Sequence, residues 1–209
     1  MNSQTLKIAF KTLFGLLGLT AIITEIVVLV GRNAFDPANF FSYFTVLSNI
    51  FAFTMLFIRA YALATRKKSP VLNILRGAAA LYMVVTGIIF ATLLAGIEGA
   101  QFTAVPWDNI VLHYIIPVVM LLDWLIDRPS TKILYRQSIV WLIFPLLYVV
   151  YSLIRGSIVG WYPYPFLDPA KSGYEGVLVT SIGITVVCIV VSLLLVKISR
   201  LGKLAKTTR

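Results

Sequence analysis

Apolar residues run along this chain in six long blocks, at about 8–31, 40–61, 71–96, 107–127, 138–156 and 174–198. A membrane-crossing helix needs roughly 20 mainly apolar residues, and each block meets that length. Turn signals separate them: Asp36-Pro37 after the first, Ser69-Pro70 before the third, Pro129-Ser130 after the fourth. Blocks and loops together use up the length, leaving no room for a separate soluble domain. The pattern therefore predicts an all-α fold, a six-helix transmembrane bundle forming a single domain over 1–209. The first block is long, lacks a small-x-small cleavage site and is followed by further blocks, so it reads as a retained helix and not a signal peptide. No internal repeat or low-complexity segment is visible.

Composition agrees with lipid as the solvent. The chain has 209 residues, 59% hydrophobic and 12% charged, against roughly 25% charged in soluble domains. The net charge of +10 would suggest nucleic acid in a soluble protein. Here the charge sits at the ends of apolar blocks, where it sets topology and touches anionic headgroups, so no nucleic-acid partner is expected. Only Arg32, Arg155 and Lys171 of the 18 Lys and Arg fall at one set of block ends; the others fall at the opposite set. Positive charge marks the cytoplasmic side. The expected orientation is N-in and C-in, in a plasma or bacterial inner membrane.

Ionisable groups inside a span are costly and are functional candidates by default. Glu25, His113 and Asp123 stand out. At a rise of ~1.5 Å per residue, Glu25, Thr45 and His113 are each expected roughly 9–10 Å below the outer face. Asp123 is ten residues past His113, which places it about 15 Å deeper. The second block carries a polar stripe of Ser42, Thr45, Ser48, Asn49 and Ala52 at three- and four-residue spacing. The fourth aligns Asn109, His113 and Pro117. Pro117 has no N–H, so it frees the carbonyl of His113.

A hydroxyl beside an imidazole points to acyl transfer, because a hydroxyl needs a base to become a nucleophile. Thr45 is the candidate nucleophile and His113 the candidate base. Glu25 or Asn49 is the candidate to orient the ring or bind the oxyanion, and Asn49, Ser48, Tyr43 or the freed backbone near Pro117 to hold the oxyanion or position substrate. One histidine and one cysteine on different helices make no metal site, and no cofactor is expected. Cys188 reads as a packed apolar residue. Each candidate also has a structural reading. Thr45, Ser48 and Asn49 suit helix packing, Glu25 suits a pair with Arg32, and Asp123 suits an inner anchor. The aromatic stretch Trp161–Phe166 suits an interfacial belt.

Three segments carry a resemblance: Tyr43-Phe44-Thr45-Val46-Leu47-Ser48-Asn49, His113-Tyr114-Ile115-Ile116-Pro117 with Asp123-Trp124, and Trp161-Tyr162-Pro163-Tyr164-Pro165-Phe166-Leu167-Asp168. Together the chain resembles the androgen-induced, FAR-17a-like family of multi-pass membrane proteins, in particular its bacterial branch, the Pr6Pr membrane proteins. Animal members of that family are intramembrane threonine hydrolases of fatty acid esters of hydroxy fatty acids. The resemblance implies Thr45 as nucleophile and His113 as its partner, a lipid ester as substrate, and membrane lipids as surroundings. Two other classes compete with this reading. One is a proton-coupled transporter or small channel with a Glu25/His113/Asp123 path, which needs polar groups from face to face. The other is a non-catalytic scaffold, which needs no activated nucleophile.

Overall fold

A computed structural model describes residues 3–98, 102–129 and 131–201. Ser130, Lys203, Lys206 and Arg209, used above for a turn and for the charge bias, lie outside them. Among the described residues the chain is helical, with no strand. Six helices are long and apolar enough to cross a membrane: Ser3–Gly31, Phe44–Ala64, Pro70–Leu94, Pro106–Ile126, Tyr135–Val159 and Pro169–Arg200. The first is α1. A short α2, Pro37–Phe40, precedes α3, Phe44–Ala64; α4 is Pro70–Ile89 and continues into a π-turn at Phe90–Leu94. The fourth span joins α5, Pro106–Ile110, through a π-turn at Val111–Ile115 to α6, Ile116–Ile126. The fifth joins α7, Tyr135–Ser138, through a 3-10 turn at Ile139–Leu142 to α8, Ile143–Val159. The sixth, α9, is Pro169–Leu201.

Local chemistry explains the starts. Asp36 accepts from the N–H groups of Ala38 and Asn39 at 2.8 and 3.1 Å, and Pro37 opens α2. Ser69 caps α4 in the same way through Leu72, with Pro70 in the first turn. The cap at Asp36 corrects the second span. The chain turns through Pro37–Phe40 as a separate element, so the span begins at Phe44 and not near residue 40. Ser42 therefore lies in the turn before the helix, and Thr45 is the second residue of α3, not the sixth.

The α4 helix is the most enclosed, with Ala79 and Met83 fully buried. It packs on α3, α6 and α9. By contrast α8 and α9 turn apolar residues outward, among them Leu147, Ile154, Ile158, Leu178 and Val179. Such faces suit lipid. Apolar residues of α1, α3, α4 and α6 fill the middle of the bundle, including Ile22, Met55, Leu56, Met83, Ile116 and Met120. Small residues let helices approach: Trp141 lies against Gly77, and Pro117 against Gly87.

Candidate functional site

A cavity of about 390 Å3 opens at the end of the bundle where α3 and α5 start. Glu25, Tyr43, Thr45 and His113 all line it, together with Arg32, Asp36, Thr103 and Tyr164. Four of the seven residues given roles at the candidate site from the sequence thus line one cavity. The other three do not line it. Ser48 is fully buried and its hydroxyl has no hydrogen-bond partner among the described residues. Asn49 donates to the carbonyls of Thr45 and Leu112 at 2.9 and 3.2 Å, tying α3 to the fourth span. With both bonds made to backbone oxygens, its amide serves packing and does not face the cavity. Pro117 and the freed carbonyl of His113 lie against Gly87, so that carbonyl closes a helix contact.

Thr45 owes its surroundings to its place in the first turn of α3. The first N–H groups of a helix lack partners within the helix. The cap residue Tyr43 offers no side-chain bond. Two tyrosines from other segments supply what is missing. Tyr148 accepts from the N–H of Phe44 at 3.2 Å and donates to Ser42 O at 2.8 Å. Tyr164 accepts from the N–H of Thr45 at 3.2 Å, and its hydroxyl is also 3.2 Å from Thr45 Oγ1. Burial pushes the Tyr164 phenol up to about 12, against the opposing bonds with Thr45. It is therefore a neutral donor at physiological pH.

His113 sits inside the π-turn Val111–Ile115 and is buried. Its ring stacks on Phe90 at 3.9 Å between centroids, and Phe90 opens the other π-turn. Nδ1 is 3.2 Å from Asn109 O. A carbonyl only accepts, so Nδ1 carries the proton and Nε2 is the basic nitrogen. The imidazole is thus oriented by the Asn109 carbonyl. Glu25 does not hydrogen-bond it, and the expected roles of Glu25 and Asn49 as its orienters are not what the geometry provides.

Both Glu25 oxygens accept from the N–H of Ala104, at 2.7 and 2.9 Å. Glu25 makes no ion pair with Arg32 among the described residues. Its second neighbour is Asp108, fully buried in the first turn of α5. Neither Asp108 oxygen meets a donor among the described residues. Outside the spans, burial raises the Tyr43 phenol, and the Glu25 charge adds to the shift.

The stretch Trp161–Phe166 packs back onto the bundle. Tyr164 is buried, Trp161 packs edge-on against Tyr43 at 5.6 Å, and Tyr164 stacks on Phe166 at 5.1 Å. Arg155 holds this loop, with its guanidinium 5.2 Å from the Trp161 ring centre and a 2.8 Å bond to Asn39 Oδ1. Behind it lies a second, apolar pocket of about 60 Å3, lined by residues such as Val85, Ile89, Pro145, Ile184 and Cys188. Thr45 and Tyr164 line both spaces.

Asp123 does not line this cavity. It pairs with Lys11, and with Arg76 at 2.8 Å, in a buried ionic cluster that includes Asp127 and Arg59. Lys11 and Arg76, read from the sequence as headgroup-facing charges, are almost fully buried. The burial follows from the two aspartates that the end of α6 presents to them. Among the described residues, no group of three or more His, Cys, Asp or Glu side chains gathers as a metal site would require. No family model, no curated protein and no solved structure matches this chain.

Proposed function

We propose that this protein is an intramembrane hydrolase of long-chain lipid esters, with Thr45 as nucleophile and His113 as base. The observation that supports it best is the position of Thr45. It stands where a polar cavity holding an imidazole meets an apolar pocket. An amphiphile with the first carbons of its acyl chain in the apolar space and its polar half in the cavity puts its ester carbonyl at the Thr45 hydroxyl.

Thr45 Oγ1 then attacks the carbonyl carbon while Nε2 of His113 takes its proton. In the resting arrangement the hydroxyl faces Tyr164. Transfer therefore requires the hydroxyl to turn to the imidazole, or one bridging water. The negative oxygen of the tetrahedral intermediate is held by the Thr45 N–H, which donates to the Tyr164 oxygen before substrate arrives, and by the Tyr164 O–H. The intermediate collapses as His113 returns the proton to the leaving alcohol. Water, deprotonated by the same nitrogen, attacks the acyl-threonine, and the fatty acid is released as His113 returns that proton to Thr45 Oγ1. A polar path from face to face is disfavoured. Along α1, Glu25 and Lys11 are 14 residues apart, about 21 Å, and Ile22, Met55, Leu56 and Met120 pack between their levels.

Thr45→Ala and His113→Ala should each abolish turnover of a branched fatty acid ester in purified protein, with thermal stability little changed. Full activity in either variant removes the dyad and leaves a scaffold as the better reading. We also place the basic ends in the cytoplasm, giving N-in and C-in. A cytoplasm-dependent reporter fused after Arg209 should be active; an inactive, well-expressed fusion would reverse the orientation.

A further inference from the structure

The ionic cluster at the other end of the bundle does not balance its own charge. Four cations, Lys7, Lys11, Arg59 and Arg76, converge on two carboxylates, Asp123 and Asp127. Asp123 is taken up by Lys11 and Arg76. Asp127 is shared among all four: Lys7 at 3.8 Å, Lys11 at 3.1 Å, Arg59 at 2.7 Å and Arg76 at 3.3 Å. The six side chains carry a formal excess of two positive charges. Uncompensated charge in a low-dielectric surrounding is costly. No other Asp or Glu side chain belongs to this end. The other six, Glu25, Asp36, Glu98, Asp108, Asp168 and Glu175, belong to the opposite ends of the helices or the loops there.

Two further observations say what would fit. Arg76 has Nε and Nη1 buried without an acceptor among the described residues, while its guanidinium lies 5.9 Å from the Trp124 ring centre. The demand is therefore for oxygen acceptors bearing negative charge. The cluster also has a rim. The side chains of Lys7 and Arg59 are 28% and 14% exposed, whereas those of Lys11 and Arg76 are 1% exposed. Arg59 is bonded twice to Asp127, at 2.7 and 3.0 Å, whereas Lys7, the most exposed cation, reaches it only at 3.8 Å, so the least matched charge is the one that points toward the headgroup level.

We propose that this cluster is a binding site for a phosphate group, drawn from an anionic phospholipid headgroup in the leaflet at this end and engaged first by Lys7 and Arg59. A phosphodiester offers two oxygens that share one negative charge to a guanidinium and an ammonium, offsetting half of the excess. Its bond to this rim couples the first, second, third and fourth spans to the lipid around them. This goes beyond the outer cavity and does not depend on its chemistry.

The test is thermal unfolding of the full-length protein in three settings: phosphatidylcholine vesicles alone, the same vesicles with phosphatidylglycerol, and phosphatidylcholine with inorganic phosphate at chloride-matched ionic strength. A ligand that binds only the folded state raises Tm in a saturable way. Phosphatidylglycerol should do so. Lys7→Gln should raise the half-saturating fraction roughly fivefold, the worth of one lysine near an anionic surface. Lys68→Gln, on the exposed loop after α3, should not. If inorganic phosphate acts as strongly and Lys7→Gln weakens it, the site stands with a soluble source. No saturable shift from either, or equal weakening by Lys68→Gln, overturns the proposal in favour of diffuse surface attraction.

Discussion

At Thr45 a backbone N–H and a side-chain hydroxyl meet the same phenol, Tyr164. A valine-sized side chain in a first helical turn would be unremarkable without that phenol. With it, the residue has a donor arrangement suited to a developing oxyanion. Tyr164→Phe keeps the ring and its stacking on Phe166 and removes only the hydroxyl. We expect kcat to fall roughly tenfold, about 1.4 kcal/mol of barrier, with KM nearly unchanged and Tm within a few degrees. A variant with full kcat would make Tyr164 a packing residue. Thr45, His113, Glu25 and Tyr43 were visible in the sequence because polar groups in apolar blocks stand out. Asp108 and Tyr164 were not. An acid in the turn after Pro106 reads as an ordinary helix start, and a tyrosine between prolines reads as a loop at the interface. Only tertiary packing turns the one onto Glu25 and the other onto Thr45.

Elements show a similar division. The six spans were legible because lipid imposes length and hydrophobicity on each crossing helix. Their irregularities were less so. The break between α2 and α3 depends on the Asp36 cap, and it shifts Thr45 from mid-turn depth to a helix start. The two π-turns, at Phe90–Leu94 and Val111–Ile115, leave no periodicity mark over five residues. They nevertheless bring Phe90 and His113 into stacking contact. Pro117 hinted at the second, because it cannot complete the hydrogen-bond ladder. Directly beside it, a Cβ at Gly87 would lie 3.0 Å from Pro117 Cβ and 3.5 Å from His113 O. Gly87→Val should therefore push α4 from α6, costing about 1–3 kcal/mol as overpacking. Because the strain falls on the turn that carries His113, turnover should drop more than Tm does. Equal Tm and turnover to wild type would mean that α4 has room there which the contact distances deny.

For the whole molecule, polar chemistry is divided between two ends. One end gathers the cavity residues, the other the ionic cluster, and an apolar layer separates them. The charge bias along the sequence located the basic end but not its burial, since residue types alone do not reveal that Asp123 and Asp127 draw Lys11 and Arg76 inward. Asp127 is the centre of that cluster and lies just past the fourth span. Burial by itself would raise its pKa; the hydrogen bond from Arg59 and the charges of Arg76 and Lys11 override this and hold it well below the usual carboxylate range. A carboxylate with a depressed folded pKa contributes stability that is complete above its unfolded value, ~3.9, and is lost as pH falls below that toward the folded value. Thermal stability should accordingly be flat between about pH 7 and 5 and decline below about pH 4, as far as this group governs it. Asp127→Asn removes the charge that four cations share. Breaking a buried pair from one side typically costs about 3–5 kcal/mol, so the variant should unfold well below wild type at pH 7. It should also lose much of the acid-dependent decline, because the group that titrates is gone. The informative measurement is the difference in Tm between wild type and variant across that range. A gap that narrows as the pH drops below 4 assigns the acid sensitivity to Asp127. A constant gap would place the titrating group elsewhere and reduce Asp127 to a helix-end hydrogen-bond acceptor.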